Sequence, residues 1–170
     1  HSQVLNKVLK ADIQNIRSTL DEIDLSAFEQ AIDMIIQARA IYVMGLRASA
    51  PIAEFFAHYL KFIFPNVRVV TSGVSDVFEQ LARIGEGDLL IGLSFPRYTA
   101  RSIEAMEFAR SRGAELIAIT DGPLSPLHST ANICLMAKSD MSSFVDSFAA
   151  PLSLINALIV ALGQRRLIGR

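Results

Sequence analysis

The first twenty positions of the chain show apolar residues at a spacing of three or four. These apolar positions run from Val4 to Leu20, and the spacing predicts an amphipathic helix with a single apolar stripe. Nothing upstream in this sequence can bury that stripe. We therefore expect the helix to be either a strut that leads from another module or a contact between two copies of the chain.

A second apolar stripe follows closely on the first. Ile32, Ile35 and Ile36 lie at helical spacing, and the sequence from Ser26 to Glu29 is of the capping-box type, so a helix is expected to begin near Ser26. We assign residues 1–38 to linker or dimerisation helices and residues 39–170 to one ligand-binding domain.

From residue 40 onward the pattern changes to short, nearly continuous apolar runs. They lie at residues 40–44, 67–71, 88–93, 115–120 and 132–136. Helices are expected between and after them, at 50–63, 74–84, 100–112, near 125–130 and at about 147–163. Apolar strands that alternate with helices predict an α/β fold, a three-layer sandwich with helices on both faces of a parallel sheet. Five strands suit the flavodoxin-like order 2-1-3-4-5.

Composition and charge narrow the class of protein. The 170 residues are 51% hydrophobic and 19% charged, which is typical of a compact domain with a real core. The formal net charge of −1 provides no general basic surface for nucleic acid, so contact with DNA would need another module. The apolar stretch 149–162 is shorter than the roughly 20 residues that a bilayer requires, so no membrane association is expected.

The single cysteine limits the chemistry further. Cys134 has no partner for an internal disulfide, and the spacings of zinc ligands are missing, so we expect neither a metal nor a cofactor. The amino terminus is polar and helical in pattern rather than of the secretory type. A cytoplasmic location is therefore expected.

The candidate ligand-binding loops lie where the strand order of the predicted sheet reverses. In such sheets ligands bind beyond the carboxyl ends of the strands at this switch point, here between the first and third strands. The loops that follow these strands are Gly45-Leu-Arg-Ala-Ser49 and Ser94-Phe-Pro-Arg-Tyr-Thr99. Both lead into helices, and the N–H groups at the start of a helix favour an anion.

Hydroxyl and guanidinium groups occur in both loops. Ser49 and Thr99 lie at or near the starts of their helices, Ser94 ends a strand, and Arg97 is close enough to reach the same space. Each loop alone can be an ordinary strand-to-helix turn, with its hydroxyl capping the helix. Two such loops that converge at a switch point predict a site for a phosphate monoester.

The same two loops resemble the phosphate site of sugar isomerase (SIS) domains. The segments ITDGPLSP (residues 119–126) and DSFAAPLSLIN (residues 146–156) fit the same pattern. More narrowly, the chain is similar to the effector domain of RpiR-type bacterial transcription regulators, in which SFPRY is a frequent form of the second loop. The resemblance covers nearly the whole chain and implies an SIS fold that senses a phosphorylated sugar.

The resemblance also implies roles for individual residues. The expected ligand-binding set is Gly45, Arg47, Ser49, Ser94, Arg97, Thr99 and, more weakly, Ser143 and Ser147. The two loop serines and Thr99 would hold the phosphoryl group. Arg47 stands where SIS domains usually have glycine, so it either adds a cation or fills the site. Arg97 either clamps the phosphate or covers the edge of the sheet.

The implied partners follow from the same family. Residues 3–40 resemble the helices that join the effector domain to an amino-terminal helix-turn-helix module, which this sequence lacks. DNA would be contacted only through that module. The apolar helices at 4–20 and 149–162 are the expected contacts of a homodimer or tetramer.

Two alternative functions stay open. Sugar-phosphate isomerisation requires a general base, and the SIS isomerases that resemble arabinose-5-phosphate isomerase carry a Glu and a His after the second strand. That segment has no histidine here, so an enzyme is disfavoured, with Glu54, Asp76 and Glu79 as the remaining candidate bases. His58 is four residues beyond Glu54, a spacing that allows a surface pair. The other alternative is a structural dimerisation domain with a vestigial site.

Overall fold

The chain folds as a parallel sheet between two layers of helices. A computed structural model describes residues 1–141 and 144–168. The helices are α1 (Ser2–Glu22), α2 (Leu25–Gln37), α3 (Ala50–Ile63), α4 (Val77–Gln80), α5 (Ala100–Ser111) and α6 (Ala149–Gly163). The strands are β1 (Ile41–Gly45), β2 (Val67–Val70), β3 (Leu89–Leu93), β4 (Glu115–Thr120) and β5 (Ile133–Met136).

The strand order is β2-β1-β3-β4-β5, and every pair is parallel. Ile41 of β1 lies opposite Val67 of β2 on one side and Leu89 of β3 on the other. The predicted fold class and strand order are confirmed. Because the order reverses between β1 and β3, the loops after these two strands meet at the carboxyl edge of the sheet.

Each face of the sheet has its own apolar core. Val43 and Ile91 belong to a buried cluster with residues of α2, α3 and α6. Met44 and Leu90 point to the opposite face, where they pack in a second cluster with residues of α5. Since both faces are covered, β1 and β3 are buried along their whole lengths, which explains why these strands are nearly continuous apolar runs in the sequence.

Three of the predicted helical segments differ from those of the structure. The helix α2 begins at Leu25 because Asp24, rather than Ser26, caps it: an Asp24 carboxylate oxygen accepts a bond from the Ala27 N–H at 3.1 Å. The helix expected at 74–84 is only four residues long, since Asp76 caps α4 at Val77 and the helix ends at Gln80. The stretch 125–130 forms turns instead of a helix.

The amino-terminal helix α1 is anchored at one end only. Its second half packs on α6 and buries Asn15, whereas residues 1–10 are all exposed. The apolar stripe from Val4 to Leu20 therefore faces solvent along most of its length. In the described ranges, no helix combines the length and the apolar character needed to cross a membrane.

Candidate functional site

The loops after β1 and β3 enclose a cavity of about 270 Å³, which we call the switch-point cavity. Both loops and the segment before α6 line it, through residues Leu46, Arg47, Ala48, Ser49, Ser94, Phe95, Pro96, Arg97, Thr99, Asp146 and Phe148. The structure thus brings together most of the residues expected to bind the ligand. They come from segments that are about fifty residues apart in the chain.

Two serine hydroxyls are available inside this cavity. Ser49 and Ser94 are 6% and 5% exposed, and both line the cavity. Within the described part of the chain, neither hydroxyl has a hydrogen-bond partner, and no fully enclosed side-chain polar atom is left without one. Both hydroxyl oxygens are therefore reachable from the cavity. Polar groups in buried positions normally have partners, so a ligand that supplies them would bind favourably.

The first loop (residues 45–49) has a backbone that few side chains tolerate. A Cβ atom on Gly45 would lie 2.4 Å from the Ser49 carbonyl oxygen and 2.8 Å from the Ala53 Cβ, so the loop can fold back onto α3 only with glycine there. Arg47 has a φ of 54°, in the left-handed region that glycine adopts most easily. Glycine would adopt this conformation at a lower energetic cost than the arginine that this chain has there.

The second loop (residues 94–99) ends in a capped helix, as predicted. The Thr99 hydroxyl accepts a bond from the Ser102 N–H at 3.2 Å and lies 2.7 Å from the Ser102 hydroxyl. Ser49 also occupies a cap position, before α3, but its hydroxyl makes no capping bond. Helix capping therefore accounts for Thr99 but not for the placement of the Ser49 side chain.

Arg97 is paired with a carboxylate that sequence reasoning missed. One of its nitrogens lies 3.2 Å and 3.3 Å from the two oxygens of Asp146. The Arg97 side chain is 69% exposed and that of Asp146 is 16% exposed. Asp146 opens the segment 146–156 that matches the SIS pattern, but nothing in the local sequence indicates that it meets a loop 49 residues earlier.

Of the other expected residues, Ser147 does not line the cavity, whereas Arg47 does. Ser147 is buried, and its hydroxyl donates to an Asp12 carboxylate oxygen of α1 at 2.6 Å. Ser143 lies outside the described residues. Arg47 lines the cavity with an exposed side chain, so its bulk does not occupy the buried part of the site.

The candidate catalytic carboxylates are not part of the cavity. Glu54 and Glu79 are exposed on α3 and α4, and neither lines the cavity. Asp76 caps α4 and forms an ion pair with Arg101. His58 does not pair with Glu54; in the described structure its ring packs at 5.0 Å from that of Tyr59 and 5.3 Å from that of Phe62.

A second cavity of about 460 Å³ adjoins the first and shares Leu46, Arg47, Arg97 and Thr99 with it. Its other lining residues are Ser72, Tyr98, Ala100 and Arg101. Five polar or charged residues of the two loops and α5 thus line a space large enough for a bound molecule to extend beyond the switch-point cavity. Among the described residues, no three His, Cys, Asp or Glu side chains come together to hold a metal ion.

Tyr98 ties the second loop to the next strand. Its hydroxyl donates to an Asp121 carboxylate oxygen just after β4. Burial, then the bond to Asp121, then the negative charge of Asp121 raise the pKa of Tyr98 to about 12. The phenol is therefore a neutral hydrogen-bond donor at physiological pH and holds the loop against the carboxyl end of β4.

Comparison with known proteins places these features in a family. The SIS domain model matches residues 34–161. The HTH-type transcriptional regulator HexR of Pseudomonas aeruginosa is 33% identical over 132 residues, which are 76% of this chain and 45% of that protein. The chain spans about half the length of the curated relatives that it matches first.

Solved structures show the same fold. The sugar isomerase domain of an RpiR transcription factor from Sphaerobacter thermophilus superposes with a TM-score of 0.92 at 30% identity, covering 96% of this chain and 92% of that one. The NanR protein of Vibrio vulnificus, solved with ManNAc-6P, superposes with a TM-score of 0.80 at 21% identity, covering 95% of this chain and 62% of that one.

Proposed function

Because the chain belongs to the SIS domain family, we propose that it binds a phosphorylated sugar, with the phosphoryl group in the switch-point cavity. It would serve as the ligand-sensing domain of an RpiR-type transcription regulator. DNA would be contacted by a separate helix-turn-helix module, and the regulator would act in the cytoplasm. Two or four copies would associate through the apolar surfaces of α1 and α6.

The observation that carries the proposal is a pair of largely buried serines whose hydroxyls open into the cavity and have no partner among the described residues. Ser49 and Ser94 approach the cavity from the ends of two different strands. A phosphate monoester offers several acceptor oxygens, so one group can satisfy both hydroxyls. The starts of α3 and α5 and the guanidinium groups of Arg47 and Arg97 supply positive potential. No apolar ligand would use these groups.

The adjoining cavity supports a ligand larger than phosphate. It continues from Thr99 towards Ser72 and Arg101, so a sugar attached to the phosphate has room and polar contacts there. The Vibrio vulnificus relative was solved with ManNAc-6P, a molecule of this class. The identity of the sugar for the present chain depends on these outer contacts, because the hydroxyls of the two loops recognise only the phosphate.

Thermal unfolding with a panel of sugar phosphates and their unphosphorylated sugars tests the proposal. A ligand present at one hundred times its Kd adds about 2.7 kcal/mol of stability. We expect stabilisation by at least one sugar phosphate and none by its parent sugar. Ser94→Ala should weaken that stabilisation, whereas Ser129→Ala, at an exposed position away from the cavity, should leave it unchanged. A shift insensitive to Ser94→Ala would contradict the proposal.

The isomerase alternative is tested on the same ligands. No carboxylate other than Asp146 lines the switch-point cavity, and Asp146 is held by Arg97. The described residues therefore supply no free base there, and we expect no interconversion of aldose and ketose phosphates. Proton NMR of the bound panel over several hours measures this directly. Turnover that is lost in Asp76→Asn or Glu79→Gln would establish an enzyme instead of a sensor.

A further inference from the structure

Polar contacts tie α1 to the segment between β5 and α6. They are spaced about one turn apart, so they follow one side of the second half of α1. In order along the helix they are Asp12 with the Ser147 hydroxyl at 2.6 Å, Asn15 with the Asp140 carbonyl at 3.0 Å, Thr19 with the Lys138 N–H at 2.9 Å, and Glu22 with the Lys138 ammonium at 3.5 Å. Asn15 is buried, so this side of α1 is fixed to the domain.

The same segment reaches the switch-point cavity through its next residue. Asp146 precedes Ser147 directly, lines the cavity and holds Arg97. Adjacent residues thus contact the second loop on one side and α1 on the other. Because the two residues are joined covalently, a displacement of the Asp146 backbone also moves the backbone of Ser147.

Asp146 and a phosphate group compete for the same cation. One nitrogen of the Arg97 guanidinium donates to both oxygens of Asp146, and a phosphate in the cavity offers the same nitrogen charged acceptor oxygens. A phosphate dianion held by Ser49 and Ser94 attracts Arg97 and repels the Asp146 carboxylate. Binding therefore favours a state in which the Arg97–Asp146 pair is broken.

We propose that the Arg97–Asp146 ion pair is an internal competitor of the ligand phosphate, and that its replacement by phosphate moves Ser147 away from Asp12 and releases α1. The inference rests on the proposed function and adds the route by which the bound ligand changes the helix. Asp146 and Ser147 act as positioning residues, since they set the state of Arg97 and of α1 rather than hold the phosphate.

The coupling between the cavity and α1 can be measured by changing either the Arg97–Asp146 contact or the Asp12–Ser147 contact. If the ligand favours the state with both contacts broken, then breaking either contact by mutation must raise the affinity for the ligand, since coupling between two sites is reciprocal. Typical couplings are about 5- to 150-fold. A residue that only stabilised the fold would not increase the affinity when it is removed.

Inorganic phosphate is the probe for the cavity end of the route, and its Kd is measured by calorimetric titration. We expect Asp146→Asn to bind phosphate at least about fivefold more tightly than the wild type. Arg97→Gln supplies the control, because without the guanidinium there is nothing for Asp146 to compete for. In the Arg97→Gln background, Asp146→Asn should therefore change the Kd less than twofold, which separates competition for Arg97 from a general loss of negative charge.

The helix end of the route is tested with Asp12→Ala and a matched control. Asp12 lies on α1 and does not line the cavity, so its removal reports coupling alone. We expect about threefold tighter binding of phosphate in Asp12→Ala and no change in Asp21→Ala, which removes the same charge from an exposed position of the same helix. Amide hydrogen exchange of residues 9–16 should accelerate when phosphate is added to the wild type, but not to Asp12→Ala.

The outcomes separate this inference from the proposed function. Suppose that phosphate binds the wild type through Ser94. If Asp146→Asn then leaves the Kd unchanged, or if Asp12→Ala and Asp21→Ala change it equally, the proposed competition and release of α1 are overturned. The proposed sensor function would stand. Absence of phosphate binding to both the wild type and Asp146→Asn overturns both. Weaker binding in Asp146→Asn would show that Asp146 supports the ligand instead of competing with it, and would also overturn the route.

Discussion

At the scale of single residues, the shape of the first loop depends on Gly45. Its Cα lies against the backbone of Ser49 and the start of α3, so that the Ser49 hydroxyl is directed into the cavity. Arg47 then turns the chain with a positive φ of 54°. A non-glycine residue in the left-handed region costs conformational energy.

Replacing Gly45 tests this account of the loop. We expect Gly45→Ala to lower the free energy of unfolding by about 2–3 kcal/mol, because the new Cβ would meet a backbone oxygen that cannot move away. Gly122→Ala is the matched control, since a Cβ there meets nothing within 4 Å and should change stability by less than about 0.5 kcal/mol. Urea unfolding of both variants gives the comparison; equal stability of the two would contradict it.

Tyr98 gives a prediction for alkaline pH. Its pKa in the folded chain is about 12, above the ordinary value of 10.0. The stabilisation linked to this proton is therefore fully present below pH 10 and is lost as the pH rises through 12. Tyr98→Phe lacks the titrating group, so its stability should depend less steeply on pH between 10 and 12. Urea midpoints across this range measure the slopes, and parallel curves would be evidence against the Tyr98–Asp121 contact.

Residue-level prediction from the sequence succeeded where the cause is local. The Thr99 cap was predicted because a hydroxyl before an amphipathic run is a local signal. Asp146 was missed because its partner, Arg97, lies 49 residues away, and no periodicity specifies which side chains meet across a sheet edge. The same reason explains why the contact of Ser147 with Asp12 was not foreseen.

At the scale of elements, the start of α5 contributes both to the stability of that helix and to the candidate site. Its cap residue, Thr99, also lines both cavities. Loss of an N-cap costs about 1 kcal/mol, so Thr99→Ala should destabilise the chain by about that amount and also weaken phosphate binding. Thr99→Ser keeps the hydroxyl and should restore both. Thermal unfolding and phosphate titration of the two variants provide the measurements; retained binding in Thr99→Ala would limit Thr99 to a capping role.

The elements were predicted well where a long apolar pattern supports them. All five strands and the helices α1, α3, α5 and α6 lie within a few residues of their predicted positions. The exceptions are short: α4 covers only Val77–Gln80, and residues 125–130 form turns. In both segments capping and turn-forming side chains, such as Asp76 and Ser125, bond to nearby groups and compete with a longer helix.

At the scale of the whole molecule, the sheet order determines where the site lies. The order could be predicted because continuous apolar strands require cover on both faces, and the number and spacing of the elements suit one common topology. The net charge of −1 gives no indication of the site. The candidate site has its own cationic side chains. Two of them, Arg97 and Arg101, are each paired with an aspartate in the folded chain.

The exposed apolar stripe of α1 gives a prediction about the assembly of the whole molecule. Val4, Leu5 and Leu9 are all more than half exposed, and such apolar surface is usually covered in an assembly. Sedimentation should show a dimer or tetramer, and Leu5→Glu combined with Leu9→Glu should dissociate it. The same pair of substitutions would have no effect on sedimentation if α1 were only a strut.

The measurement that tests the central claim most directly maps where a phosphorylated sugar binds. In a titration of the isotopically labelled chain with inorganic phosphate and with a sugar phosphate that stabilises it against thermal unfolding, we expect both ligands to shift the NMR signals of amides 47–50 and 97–102. The sugar phosphate should additionally shift those near Ser72. The unphosphorylated parent sugar should leave the amides of both loops unchanged. Shifts confined to another region, such as the cavity lined by Asp121 and Cys134, would contradict the account.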